Sequence, residues 1–170
     1  CLGGILGGAL SCPMRSMLHW TVETKDDGEL IVTFEGEITG HAEFSALAIG
    51  GRRVVLDLAG VRRMNSQGVH GFLDFLGEVG ESGSLVVERC SPAIVLQLNL
   101  LPTMADLVTV RSLYLPLECP RCFWEGDHLL ELTRPGRRPP LPTVRCPRCG
   151  HTTEPAEPPD RYLAFLQEDA

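Results

Sequence analysis

The sequence predicts an α/β domain built on a mixed β-sheet flanked by helices, followed by a small four-cysteine module. Three observations point there. A period-two hairpin opens the patterned part of the chain, apolar β-branched runs then alternate with helical stretches, and two C-x-x-C pairs stand near the end. At 170 residues the chain holds one fair-sized core plus an appendage.

Taken in order, residues 1–16 read as a disordered leader, with Met14 or Met17 as a sensible translation start. The stretch Ala9-Leu10-Ser11-Cys12 is a loose match to a lipoprotein cleavage site, but no charged n-region precedes it. Residues 17–115 carry the α/β pattern. "HWTVET", the turn "KDDG" and "ELIVTFEG" form a hairpin, with Leu30, Val32 and Phe34 facing a core and Ile31, Thr33 and Glu35 facing away. "GEITG" breaks that strand, and "HAEFSALAI" forms a short helix before Gly50-Gly51.

"RVVLDL" (53–58) is apolar on both faces, the mark of a covered parallel strand. After a loop "AGVRRMN", an amphipathic helix presents Val69, Phe72, Leu73, Leu76 and Val79 at helical spacing. Gly68 and Gly71 beside that stripe cost helix stability, and close backbone approach is the reason they imply. "GSLVVE" is the next strand, "SPAIVLQLNLL" a helix with Ser91 as N-cap and Pro92 at its first position, and "DLVTV" (106–110) a last strand.

The second module spans residues 116–153. Cys119, Cys122, Cys146 and Cys149 sit in "CPRC" and "CPRCGH" with 23 residues between the pairs. Each pair turns two thiolates onto one ion, and four thiolates complete a tetrahedral Zn²⁺ site with no open position for catalysis. A thioredoxin-like redox pair is the competing reading, although it needs a single C-x-x-C at a helix start. His128 and His151 stand nearby as alternative ligands. The arrangement resembles the zinc ribbon, with "FWEGDHLLELT" as strand material between the knuckles. Residues 154–170 read as an acidic, proline-rich linker and a short terminal helix "RYLAFLQ".

Composition narrows the function. The net charge is -7; residues 17–115 carry 7 basic and 13 acidic side chains, and residues 116–150 carry 6 and 4. That balance argues against nucleic acid as the partner of the main domain. No run approaches the length of a membrane span, and paired cysteines in metal spacing point to a reducing, cytoplasmic setting. There is no phosphate-binding glycine loop, nucleophile elbow or useful carboxylate pair, so no enzyme is expected. Asp57 reads as an acceptor of loop N–H groups and Cys90 as a small buried residue; His41 and His70 lie on helix surfaces without companions.

"VVLDLAGVRRMNSQGVHGFLDFL" resembles the STAS domain of anti-sigma factor antagonists, in which a buried strand is followed by a loop, an Asp-Ser-Ser-Gly element and an amphipathic helix. The likeness covers about residues 18–112. It implies a non-enzymatic regulator that binds a protein partner, an anti-sigma factor or serine kinase, through Asn65, Ser66, Gln67, Gly68 and His70. It also makes Ser66 the phosphoacceptor whose modification releases the partner. Asn65 stands where the family has Asp, Gln67 where it has the second Ser, and Thr39 where it has an acid. Two roles stay open for Ser66: phosphoacceptor, or helix cap worth about 1 kcal/mol, a role that Asn65 can fill instead. The other functional reading places nucleic-acid or transcription-machinery binding on the cysteine module, with the first domain as scaffold.

Overall fold

A computed structural model describes residues 18–44, 52–82 and 84–167. The leader expected at 1–16, and most of the short helix expected at 41–49, lie outside the described residues. The architecture is mixed α/β. A five-stranded sheet runs in the order β1-β2-β3-β4-β5, and a three-stranded sheet in the order β7-β6-β8.

The opening hairpin pairs β1 (His19–Thr24) antiparallel with β2 (Leu30–Ile38). Leu30, Val32 and Phe34 are buried, and the residues between them are not, so period-two alternation sets the face. β2 then pairs parallel with β3 (Val54–Met64), β3 with β4 (Leu85–Glu88), and β4 with β5 (Thr109–Val110). Helix α1 (Ser66–Ser82) links β3 to β4, and helices α2 (Pro92–Leu100) and α3 (Pro102–Leu107) link β4 to β5.

Several elements depart from the sequence pattern. "GEITG" does not end β2 at Gly36: the strand continues to Ile38 through two register shifts, one of them beside Gly36, whose φ of 112° needs a glycine. "AGVRRM" is likewise strand rather than loop, because β2 supplies it with ladder partners up to Met64. His41–Phe44 form turn and irregular chain, so His41 is on no helix there. The strand expected at 106–110 is reduced to Thr109–Val110, because Pro102 starts a further helix where a missing N–H costs nothing. Ser91 occupies the N-cap position of α2, but its buried hydroxyl makes no cap bond.

Helix α1 buries Phe72, Phe75, Leu76 and Val79, with Val69 and Leu73 half-buried at its margins. Phe75, outside the stripe read from the sequence, joins Phe34, Phe44 and Phe72 in an aromatic cluster whose ring centroids lie 5.1 to 6.3 Å apart. Side chains this size contribute about 1.5–3 kcal/mol each when fully buried.

The cysteine module is not a detached appendage. β6 (Ser112–Glu118) crosses the boundary expected between residues 115 and 116. Its start continues the first domain: the Cys90 N–H donates to Ser112 O at 3.0 Å and the Tyr114 N–H to Cys90 O at 2.9 Å. Leu113, Leu115, Leu117, Leu130 and Leu132 belong to the same buried cluster as the first sheet. The segment expected as linker and terminal helix folds back on this core as well, but Glu154–Pro155 is strand and the helix is Pro159–Tyr162, followed by turns, rather than 161–167. After α4 (Pro159–Tyr162), Tyr162, Leu163 and Leu166 are buried, the Tyr162 hydroxyl donates to Tyr114 O at 2.7 Å, and Asn99 donates to Tyr162 O at 2.8 Å.

Gly68 and Gly77 make opposite tests of this packing. A Cβ on Gly68 would lie 2.2 Å from the Ile38 carbonyl oxygen, whereas one on Gly77 meets nothing within 4 Å. Denaturant unfolding should therefore show Gly68→Ala destabilised by about 2 kcal/mol and Gly77→Ala stabilised by about 0.5–1 kcal/mol.

Candidate functional sites

The four cysteines come from two knuckles of one design. In the first, β6 and β7 (Glu125–Glu131) form an antiparallel hairpin whose tip is Cys119–Trp124. The Cys119 N–H donates to Trp124 O at 2.8 Å, and the Phe123 N–H to Cys119 O at 2.9 Å. In the second, the Cys146 N–H donates to His151 O at 2.8 Å and the Gly150 N–H to Cys146 O at 2.9 Å. β8 (Glu154–Pro155) then pairs antiparallel with β6, which carries the second knuckle to face the first.

This brings Sγ of Cys119, Cys122, Cys146 and Cys149 within 4.8 Å of one another. The cross-knuckle contacts are 3.5 Å for Cys119 to Cys149 and 3.6 Å for Cys122 to Cys146. A tetrahedral ion with Zn–S of about 2.3 Å separates its sulfurs by about 3.8 Å, so the four cysteines can hold one ion. Cys119 and Cys146 are buried while Cys122 and Cys149 are half-buried. Among the described residues no histidine or carboxylate joins the cluster. His128 sits opposite Leu115 on β7, and His151 uses its backbone carbonyl in the second knuckle. Neither C-x-x-C begins a helix, unlike the redox motif.

The thiols are not equivalent. Burial pushes the Cys119 thiol up, but N–H groups of Cys122 and Arg121 and the neighbouring thiols prevail and hold it at about 7. Burial pushes Cys122 up to about 12. An incoming cation must therefore displace protons from the cluster, and its affinity falls as the solution is acidified. Cys90, apart from the cluster, is fully buried and its thiol is pushed up to about 12, which makes it inert packing.

The start of α1 forms the other candidate site. Asn65 is the cap: its Oδ1 accepts the Gly68 N–H at 2.8 Å, and its own N–H donates to Ile38 O at 3.1 Å. Ser66 is thus the first helical residue and is exposed, as are Asn65, Gln67 and His70. Gln67 lies over Gly40, where an added Cβ would come 2.8 Å from its Oε1. Gly68 is beneath them, buried against Ile38. Four of the five residues expected to meet a partner share this surface, and the fifth supports it from below.

Two features were not read from the sequence. Asp57 accepts the Ala59 N–H at 3.1 Å, but within β3 rather than from a loop, because the strand runs on to Met64; it also forms an ion pair with Arg89, whose φ is 49°. Phe123 has a φ of 54° and is 84% exposed. Superimposing "CPRCF" on "CPRCG" would have exposed the second: Gly150, at the matching place, has a φ of 71°.

No family model matches the chain, and comparison with curated proteins finds no match either. Among the described residues no helix is long and apolar enough to cross a membrane.

Two outcomes follow from this geometry. Asn65→Ala should lower stability by about 1 kcal/mol through loss of the cap, while Ser66→Ala should stay within about 0.5 kcal/mol of the parent, as read by chemical unfolding. Titration with Zn²⁺ should give one ion per chain, with binding weakening from pH 8 to pH 6, and Cys146→Ser should abolish tight binding in a colorimetric competition assay.

Proposed function

We propose that this chain is a non-enzymatic regulatory protein. Residues 17–115 act as a STAS-like docking platform of the anti-sigma factor antagonist kind, and residues 116–153 form a zinc-ribbon-like module whose cysteines hold one structural Zn²⁺. The partner is a protein of the signalling pathway, an anti-sigma factor or serine kinase, and it binds over Asn65, Ser66, Gln67 and His70. Ser66 is the switch.

The observation carrying this reading is the division of labour at the start of α1. Asn65 provides the cap, so the exposed Ser66 hydroxyl has no structural duty at the helix end. A helix start carries partial positive charge, and a phosphate there is tolerated by the fold. The same phosphate places about -2 of charge and a large hydration demand in the middle of the contact surface, which expels a partner. Modification changes association and leaves the platform standing.

Affinity purification from the native host with phosphosite mapping tests partner and switch together. A partner should be retained by the parent and by Ser66→Ala, with phosphate found on Ser66. Ser66→Asp should weaken binding by about tenfold or more while unfolding at the same denaturant concentration. Equal binding by Ser66→Asp and the parent would sink the switch.

A further inference from the structure

The two knuckles differ at the residue that follows the second cysteine. Both run Cys-Pro-Arg-Cys, both close with the same pair of backbone hydrogen bonds, and both place the next residue in the left-handed region. At 150 that residue is glycine, which adopts the conformation without steric cost. At 123 it is phenylalanine, which does not.

Nothing in the core repays that strain. Phe123 is 84% exposed, the highest value for a large apolar side chain among the described residues. Its neighbour Trp124 behaves oppositely: the indole is half-buried against the core and folds over Gly126, where an added Cβ would lie 2.3 Å from Trp124 Cζ2. Of two adjacent aromatic rings, one packs and the other is held out in water on a strained backbone. Strain retained without a packing return points to function.

The surroundings specify what the ring meets. The charged residues within the knuckles, residues 119–124 and 144–151, are Arg121, Arg145 and Arg148, with no carboxylate among them. All three are exposed, and Arg145 also reaches Gly150 O at 3.4 Å. Immediately behind the tip, Glu125, Glu118 and Glu154 face one another in a single row across β7, β6 and β8. A short acidic segment can set a carboxylate on the Arg121 guanidinium and an apolar side chain on the ring beside it. A long polyanion that continued past the tip would run into three glutamates.

We propose that the tip of the first knuckle, Phe123 with Arg121 two residues before it, is a docking site for an acidic protein segment that carries an apolar side chain. This surface is separate from the start of α1, and it rests on the metal-held form of the module proposed above.

The test is selection of a phage-displayed random peptide library on the zinc-loaded full chain. The expected result is enrichment of acidic sequences bearing an apolar residue. A synthesised winner should lose about tenfold or more in affinity with Phe123→Gly and with Arg121→Glu. Phe123→Gly should meanwhile keep its zinc and melt at the same temperature or higher, because glycine relieves the strain. Enrichment of basic peptides, equal enrichment on Phe123→Gly, or a lower melting temperature for Phe123→Gly would overturn the proposal. So would a short oligothymidylate whose binding depends on Phe123, which would assign the tip to nucleic acid. Zinc content measured on the same samples separates the two readings: bound zinc with no acidic enrichment overturns the docking site and leaves the metal, whereas a chain that takes up no zinc overturns both.

Discussion

The Ile38 carbonyl at the end of β2 sets the geometry of the start of α1. It accepts the Asn65 N–H, and the backbone of Gly68 lies so close to it that a methyl group at position 68 would overlap the oxygen. This one contact ties the end of the second strand to the first turn of the longest helix. Everything exposed at the start of α1 takes its position from it. Asn65 is turned to cap the helix, Gln67 is laid over Gly40, and Ser66 is left outward with its hydroxyl uncommitted to the cap. A surface made this way is rigid because backbone, not side-chain, packing holds it.

β6 does the corresponding work for the rest of the chain. Its first residues hydrogen-bond Cys90 at the end of β4, its middle buries Leu113, Leu115 and Leu117 in the common core, and its last residue leads into Cys119. β8 and the returning terminal segment pack on the same strand. The cysteine cluster is therefore anchored at one end to a hydrophobic core, and the ion it can hold need only secure the tip. Small metal modules that lack such an anchor depend on the ion for the whole fold.

Within the knuckles, repeated chemistry makes the exception legible. Both turns need a residue with positive φ, and only one uses glycine. The phenylalanine in the other is outside the core while the tryptophan beside it is inside. Backbone strain and water exposure fall on the same residue.

By itself the sequence determined what short-range chemistry determines. Alternation in "LIVTF", the apolar run in "VVLDL" and the helical stripe from Val69 to Val79 specified which faces bury, because side-chain direction follows local periodicity. The C-x-x-C spacing specified each pair of thiols, because a knuckle brings its two together within four residues, while the pairing of β8 with β6 joined the pairs. Strand lengths were decided only in three dimensions. "AGVRRM" and "GEI" are strands because each supplies the other's ladder, and neither carries that information alone. Tertiary structure alone also chose Asn65 over Ser66 as the cap, placed Phe75 in the aromatic cluster, and folded the acidic tail onto α2. Each of those outcomes depends on which distant group arrives within hydrogen-bonding or van der Waals reach, a quantity set by the closed fold and absent from any local stretch of chain.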